Sequence, residues 1–283
     1  RLSDGSIEKV NFHARYTGFD QIALDAKTGT IAAIAVSPYE DAVVLRLDAE
    51  TGVTSIVHRL STDELSEDWI SKPRELSWEA PDGSMVHGVY YAPKNPDFTW
   101  DGKPPAFVMI HGGPTWIRDL RFSMERTYFT TRGYGYLDVN YRGSTGYGNA
   151  YRDALNGFWG LVDVEDAIGG ANTIGKLGLA DRSRIAIIGG SAGGYTVLNA
   201  LSQFPDSFKV GVSLFGVANL YTLSLDTEKL ELHYNDTLVG PLPMADVKYR
   251  DWSPCFHAER IKTPMAIFQG EADPVVPLAQ AQE

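Results

Sequence analysis

A single cysteine, Cys255, stands in the 283 residues. One thiol excludes an intrachain disulfide and a thiolate metal cluster, and it suits a reducing compartment, so a cytoplasmic setting is expected. Positive charge is also scarce: 25 Lys and Arg face 36 Asp and Glu, a formal net charge of −11. Such a surface repels phosphate backbones and anionic headgroups, so neither nucleic acid nor a membrane is an expected partner. No apolar run reaches the roughly 18 residues that a membrane helix needs. Zinc-binding His-Glu-x-x-His and phosphate-binding P-loop patterns are missing, so no metal and no cofactor are expected. Apolar residues, by contrast, make up 43 % of the chain, enough to fill the core of one large or two ordinary domains. The chain opens at Arg1 with no methionine and no basic-then-apolar leader; it reads as a piece of a longer protein.

Two regions with different rhythms follow. Up to about residue 60, short strand-like runs (Thr30–Val36, Ala42–Leu47, Val53–Val57) alternate with turn signals, the pattern of antiparallel meanders. The turn Asp-Ala-Lys/Glu-Thr-Gly occurs twice, at Asp25–Gly29 and Asp48–Gly52, and suggests the four-stranded blades of a β-propeller. Residues 1–70 are therefore read as the last blades of a partial propeller, with a polar connector over Ser61–Pro73. A hairpin with Met85–Tyr91 as its second arm comes next. From Pro104 the rhythm becomes apolar strand, loop, helix: strands at Ala106–Ile110, Gly135–Val139, Ile185–Ile188, Val210–Leu214 and Met265–Phe268, with helices expected at about 122–132, 162–175 and 192–203. Continuous apolar strands separated by helices predict an α/β fold with a doubly wound, mostly parallel sheet over 71–283. Asp163, Glu165 and Asp166 fall in the first turn of the middle helix, where negative charge meets the positive end of the helix dipole.

The chemistry concentrates where the run Ile185–Ile188 enters Gly189-Gly-Ser-Ala-Gly193 and then a helix. A G-x-S-x-G pattern between strand and helix is a nucleophile elbow, whose strained serine is lifted out of the turn and whose glycines remove the clash of helix on strand. Ser191 is the candidate nucleophile. His111-Gly-Gly-Pro114 directly follows an earlier strand, where a second oxyanion donor belongs, and the two amides assigned to the developing charge are those of Gly113 and Ala192. His111 is read as a loop-packing residue. Asp273, in the loop after Met265–Phe268, is the candidate acid that orients a catalytic histidine, with Glu271 as its competitor. Histidines occur at 13, 58, 87, 111, 233 and 257, all before Asp273, whereas the α/β-hydrolase order is Ser, acid, His. His257 is read as packing, and the base is expected beyond Glu283, in a lost C-terminal part that leaves this piece inactive by itself.

With these residues in place the chain resembles the prolyl oligopeptidase family of serine peptidases, in its acylaminoacyl-peptidase and dipeptidyl-aminopeptidase-like branch. The matching segments are His111–Pro114, Asn140-Tyr-Arg-Gly-Ser-Thr-Gly-Tyr-Gly148, Asp163–Asp166, Gly189–Gly194, Ser253-Pro254 and Gln269–Pro277. The resemblance implies an α/β-hydrolase domain preceded by a β-propeller, and hydrolysis of short peptides through an acyl-enzyme at Ser191 with Asp273 as the acid. Gln269 departs from the histidine that relatives often carry there. Two other functions share these features: a carboxylesterase on the same fold, and a non-catalytic protein whose propeller binds partners.

Overall fold

The computed structural model describes residues 15–61, 65–226 and 233–283; His13 lies outside them. Four strands, β1 (Gly18–Asp25), β2 (Thr30–Val36), β3 (Val43–Asp48) and β4 (Thr54–Arg59), form one antiparallel sheet in sequential order. All three expected strands sit within two residues of their reading, and β1 is additional. The paired Asp-x-x-Thr-Gly turns are two of its three hairpin connections, β1–β2 and β3–β4. Asp25 accepts the Lys27 amide and the Thr28 hydroxyl, while Asp48 accepts the amides of Glu50 and Thr51, side-chain bonds that shape a turn without help from the rest of the fold. Ala49 N donates to Gly29 O, so the two turns lie side by side at one end of a single sheet. Ala35, Val43 and Leu45 supply a small buried core beneath its inner strands.

A one-turn 3-10 helix, Glu67–Trp69, leads into the second sheet. That sheet contains β5 (Pro73–Glu79), β6 (Met85–Tyr91), β7 (Ala106–Ile110), β8 (Gly135–Asn140), β9 (Ile185–Gly190), β10 (Val210–Leu214) and β11 (Met265–Phe268), in the order β11-β10-β9-β7-β8-β6-β5. β5, β6 and β8 pair antiparallel; β8, β7, β9, β10 and β11 pair parallel. Helices α1 (Met124–Thr130), α2 (Asn149–Asp153), α3 (Val162–Lys176), α4 (Ala192–Gln203), α5 (Leu220–Asp226), α6 (Tyr234–Leu238), α7 (Asp246–Trp252) and α8 (Ala279–Gln282) complete the described elements. Because strand side chains alternate faces, Val108, Ile110, Leu137, Val139, Ile185 and Ile187 point to the main core shared with α3 and α4, and Met109, Tyr136 and Ile188 to a smaller core with Phe129 of α1. Both faces are thus covered, as the apolar runs required.

α3 and α4 run very nearly over the expected ranges, whereas α1 is four residues shorter than 122–132. Ser123 ends the preceding coil by accepting the Arg126 amide with its hydroxyl, an N-cap that fixes the helix start at Met124. Between β7 and β9 the chain reverses its direction of winding: β8 lies on one side of β7, and the chain returns through α3 to place β9 on the other. Crevices at such reversals, outside the carboxyl ends of the strands, are where ligands bind in open α/β sheets. No described helix is long and apolar enough to cross a membrane.

Candidate active site

β9 ends and α4 begins at Ser191, whose backbone stands at φ 55°, ψ −124°. A non-glycine residue there is strained by about 1–3 kcal/mol and persists only where its surroundings hold it. Here its amide donates to Leu214 O on β10 and its carbonyl accepts the Tyr195 amide of α4. The neighbouring glycines are sterically required. A Cβ on Gly189 would lie 2.4 Å from Gly193 O, and one on Gly193 would lie 2.3 Å from Ile110 O at the end of β7. The first clash is the helix-on-strand contact anticipated from the sequence. The second shows that Gly193 also lets the following loop of β7 approach. Ser191 itself is partly exposed, and its hydroxyl takes no hydrogen bond from the described residues.

That approaching loop is His111–Pro114. A Cβ on Gly112 would lie 3.3 Å from Ser191 Cβ, so the loop passes in van der Waals contact with the serine. Gly113 adopts φ 119°, a conformation open to glycine. Two buried side chains hold the loop. Tyr141 donates its hydroxyl to Pro114 O at 2.7 Å and to His111 O at 3.2 Å. His111, 5 % exposed, stacks on the Tyr141 ring at 4.3 Å between centroids. Its two ring nitrogens face Gly112 O (2.8 Å) and the Ser144 hydroxyl (2.7 Å), and burial pushes the imidazole down to about 4. Both nitrogens are engaged, so His111 packs the loop and has no position left to receive a proton from Ser191.

Gly113, Pro114, Ser191 and Ala192 line one small cavity with apolar walls from Trp159, Val217, Leu223, Leu238 and the pair Val275, Val276. Ala192 N is the first helical amide of α4 and stands at the positive end of its dipole. The acid loop reaches the same cavity. Asp273 Oδ1 accepts the amides of Val275 (2.9 Å) and Val276 (3.0 Å), and Gln269 donates to Val276 O at 2.7 Å; Gln269 thus pins the loop. Asp273 Oδ2 takes no bond from the described residues, while Glu271 is exposed. None of the five described histidines bonds Asp273 or Ser191. His87 pairs with Ser77, His233 with Asp236, and His257 with Asp251 O; His58 lies on β4. His257 is half-buried and pairs with a backbone carbonyl of α7.

The Asn140–Gly148 segment is anchored in the interior, unlike the usual glycine-rich surface loop. Arg142, 3 % exposed, donates its amide, Nε and one terminal nitrogen to the buried Asp166 carboxylate and reaches Glu165 at 3.0 Å and Asp82 at 2.7 Å. Asp163, the other first-turn acid of α3, is fully buried and takes the Gly160 amide at 2.6 Å and the Thr196 hydroxyl at 2.5 Å. Burial pushes its carboxyl up to about 6. These acids therefore tie α3 to the loop and to α4, a role beyond the dipole contact that their spacing suggests.

On the far side of Ser191 lies a wider cleft of about 500 Å³, to which Gly112, Gly190, Trp116, Arg118, Arg121 and Phe215 contribute. Sequence reasoning identified none of these last four, nor Trp159, Val217 and Tyr234. They come from segments spread between residues 116 and 234, and only the fold assembles them.

An elbow serine at a winding reversal, beside a glycine loop, on a parallel-rich sheet with helices on both faces defines an α/β-hydrolase fold. The family model of the prolyl oligopeptidase family matches residues 120–283, and the chain belongs to that family. It is 32 % identical over 276 residues to dipeptidyl aminopeptidase BIII of Pseudoxanthomonas mexicana, covering 92 % of this chain and 39 % of that protein. It is 31 % identical over 182 residues to the acylamino-acid-releasing enzyme of Arabidopsis thaliana, covering 62 % of this chain and 24 % of that protein. A solved puromycin-hydrolyzing peptidase of Mycobacterium tuberculosis superposes with a TM-score of 0.92 at 40 % identity, over 96 % of this chain and 41 % of that one. The chain thus spans about two fifths of the length of these relatives at most.

Proposed function

We propose that this chain carries the nucleophile, the oxyanion donors and the orienting acid of a serine peptidase acting on short peptides. The observation that carries the reading is Ser191 itself: a strained serine at a strand end, heading a buried helix and sharing a small cavity with the glycine loop after β7. Ser191 Oγ attacks the scissile carbonyl, and the negative charge formed on its oxygen meets the amides of Gly113 and Ala192, which hold their positions before reaction begins. The serine proton passes to an imidazole oriented by Asp273 Oδ2 and then to the leaving amine, and water releases the acyl group. That imidazole comes from a histidine outside the described residues. The apolar cavity beside Gly113 receives the acyl-side residue. The names of the relatives, a dipeptidyl aminopeptidase and an acylamino-acid-releasing enzyme, support peptide hydrolysis.

The four-stranded sheet belongs to the same reading as one blade of a propeller, with the division between it and the catalytic domain near residue 70. Its sequential antiparallel order and one-sided core are those of such a blade. The single half-buried thiol, Cys255, is compatible with a cytoplasmic setting.

The test is active-site labelling. In a protein of the relatives' full length, a fluorophosphonate labels Ser191, and Ser191→Ala abolishes the label. Hydrolysis of aminoacyl amides alongside esters distinguishes a peptidase from an esterase. Equal labelling of wild type and the Ala variant would remove the assignment.

A further inference from the structure

The wide cleft beside Ser191 has a chemistry of its own. Trp116 is 63 % exposed and Phe215 is 41 % exposed, yet both line this one cleft with Ser191. Their placement is built. Trp116 folds against Gly113, where a Cβ would lie 2.9 Å from Trp116 Cβ, and its carbonyl accepts the Thr145 amide at 2.8 Å. Phe215 has φ 41°, and its ring occupies the space beside Gly190, 2.9 Å from where a Cβ would stand. Two large apolar side chains held beside Ser191 in one cleft are the arrangement of a binding wall.

Arg118 lines the same cleft. Its Nε donates to Asp138 Oδ1 at 2.7 Å, and Asn140 grips its backbone from both sides, accepting the Arg118 amide and donating to its carbonyl. The two terminal nitrogens of the guanidinium have no hydrogen-bond partner among the described residues. Asp138, fully buried, also takes Arg126 at 3.0 Å, so two guanidiniums share one carboxylate. The neighbouring Arg121 and Asp119 neutralise each other at 2.7 Å, and Glu125 is bound to the Tyr136 hydroxyl. Arg118 thus shares its one carboxylate with a second guanidinium and keeps both terminal nitrogens unbonded among the described residues, on a held fork whose geometry matches a carboxylate.

The direction of the substrate follows from the donors. Gly113 and Ala192 line the small apolar cavity, so the carbonyl and its acyl half lie on that side and the departing half lies in the wide cleft. We propose that the wide cleft is the leaving-group subsite and takes an aromatic or apolar residue with a free C-terminal carboxylate, its side chain between Trp116 and Phe215 and its carboxylate on Arg118. This rests on Ser191 being the nucleophile.

The experiment compares N-acetyl-Ala-Phe and Ala-Ala-Phe, each as C-terminal acid and C-terminal amide, in the full-length protein. The acids are cleaved with kcat/KM about 10-fold above the amides or more. Arg118→Gln lowers acid cleavage by about 10–100-fold and leaves amide cleavage within about 3-fold, Arg118→Lys regains part of the loss, and Trp116→Ala lowers the preference for Phe over Gly as the leaving residue. A separate readout needs no peptide: 3-phenylpropionate, but not 3-phenylpropionamide, slows fluorophosphonate labelling of Ser191, and Arg118→Gln removes that protection. Equal cleavage of acids and amides by the wild type, an equal loss on both in Arg118→Gln, or protection that survives the substitution would overturn the subsite. Labelling of Ser191 with no peptide cleaved would count against peptide hydrolysis while the protection assay still judges the carboxylate site.

Discussion

Arg142→Met is the substitution that most directly tests how the loop beside the site is held. The guanidinium is 3 % exposed and is the cationic partner of Asp166, which is 1 % exposed. Methionine keeps the length of the stem but removes the cation that holds down the Asp166 carboxyl, which burial already pushes up to about 6; the acid keeps only the residue-142 amide and is driven to take up a proton, and Glu165 and Asp82 lose a partner. Removing one member of a buried pair costs about 3–5 kcal/mol, here the lost ion pair together with the cost of protonating the stranded acid. The contacts to Glu165 and Asp82 add little, because those side chains are 38 % and 60 % exposed and solvent screens them. For a domain of this size the loss lowers the melting temperature by roughly 6–20 °C. The assay is urea denaturation followed by tryptophan fluorescence, with Asp166→Asn combined with Arg142→Met as the control. Neutralising the stranded acid recovers at least half of the loss, and the cycle reports the coupling. A single-variant loss below about 1 kcal/mol, or a double variant no better than the single, would refute the claim that the pair anchors the segment.

Other substitutions probe the site and its pH response. Asp273→Asn keeps an oxygen for the Val275 and Val276 amides, so the fold survives while kcat falls by about 10³–10⁴-fold, read in steady-state cleavage against an unchanged melting curve. Gly193→Ala forces a Cβ to 2.3 Å from Ile110 O; fluorophosphonate labelling falls by at least about 100-fold because the donor loop is pushed away from Ser191. Asp163 has a folded pKa raised to about 6 from 3.8. The folded state therefore binds more protons than the unfolded one between these values, and its contribution to stability is full below pH 4 and lost as pH rises through 6. Asp163→Asn flattens that decline in denaturation midpoints measured from pH 4 to 7.

Signals local in sequence predicted local structure well. Gly189 and Gly193, two residues on either side of Ser191, placed the elbow because the clash they avoid is set by nearest turns of chain. α3 and α4 were legible because apolar residues fill their sheet-facing sides. β1 was not: Asp20 and Gln21 interrupt its apolar character, and the register shifts between Asp20 and Ala23, with Gln21 at φ 48°. Arg142 was also opaque. A charged residue in a glycine-rich run looks solvated until Asp166, 24 positions later, arrives to bury it. Trp116, Phe215 and Arg118 carry no spacing motif, and Tyr234 reaches Thr115 across 119 positions. Such groups are assembled by the winding of the sheet, so no window of sequence contains them.

The segment from Arg118 to Phe122 touches two bodies at once. Its inner side borders the Ser191 cleft, and its outer side meets the N-terminal sheet, where the Phe122 amide donates to Ser37 O at 2.6 Å and Arg121 approaches Asp20 at 3.4 Å. A partition held from both sides transmits displacement. A tilt of the sheet is therefore carried along this short segment to Arg118 and the rim of the Ser191 cleft.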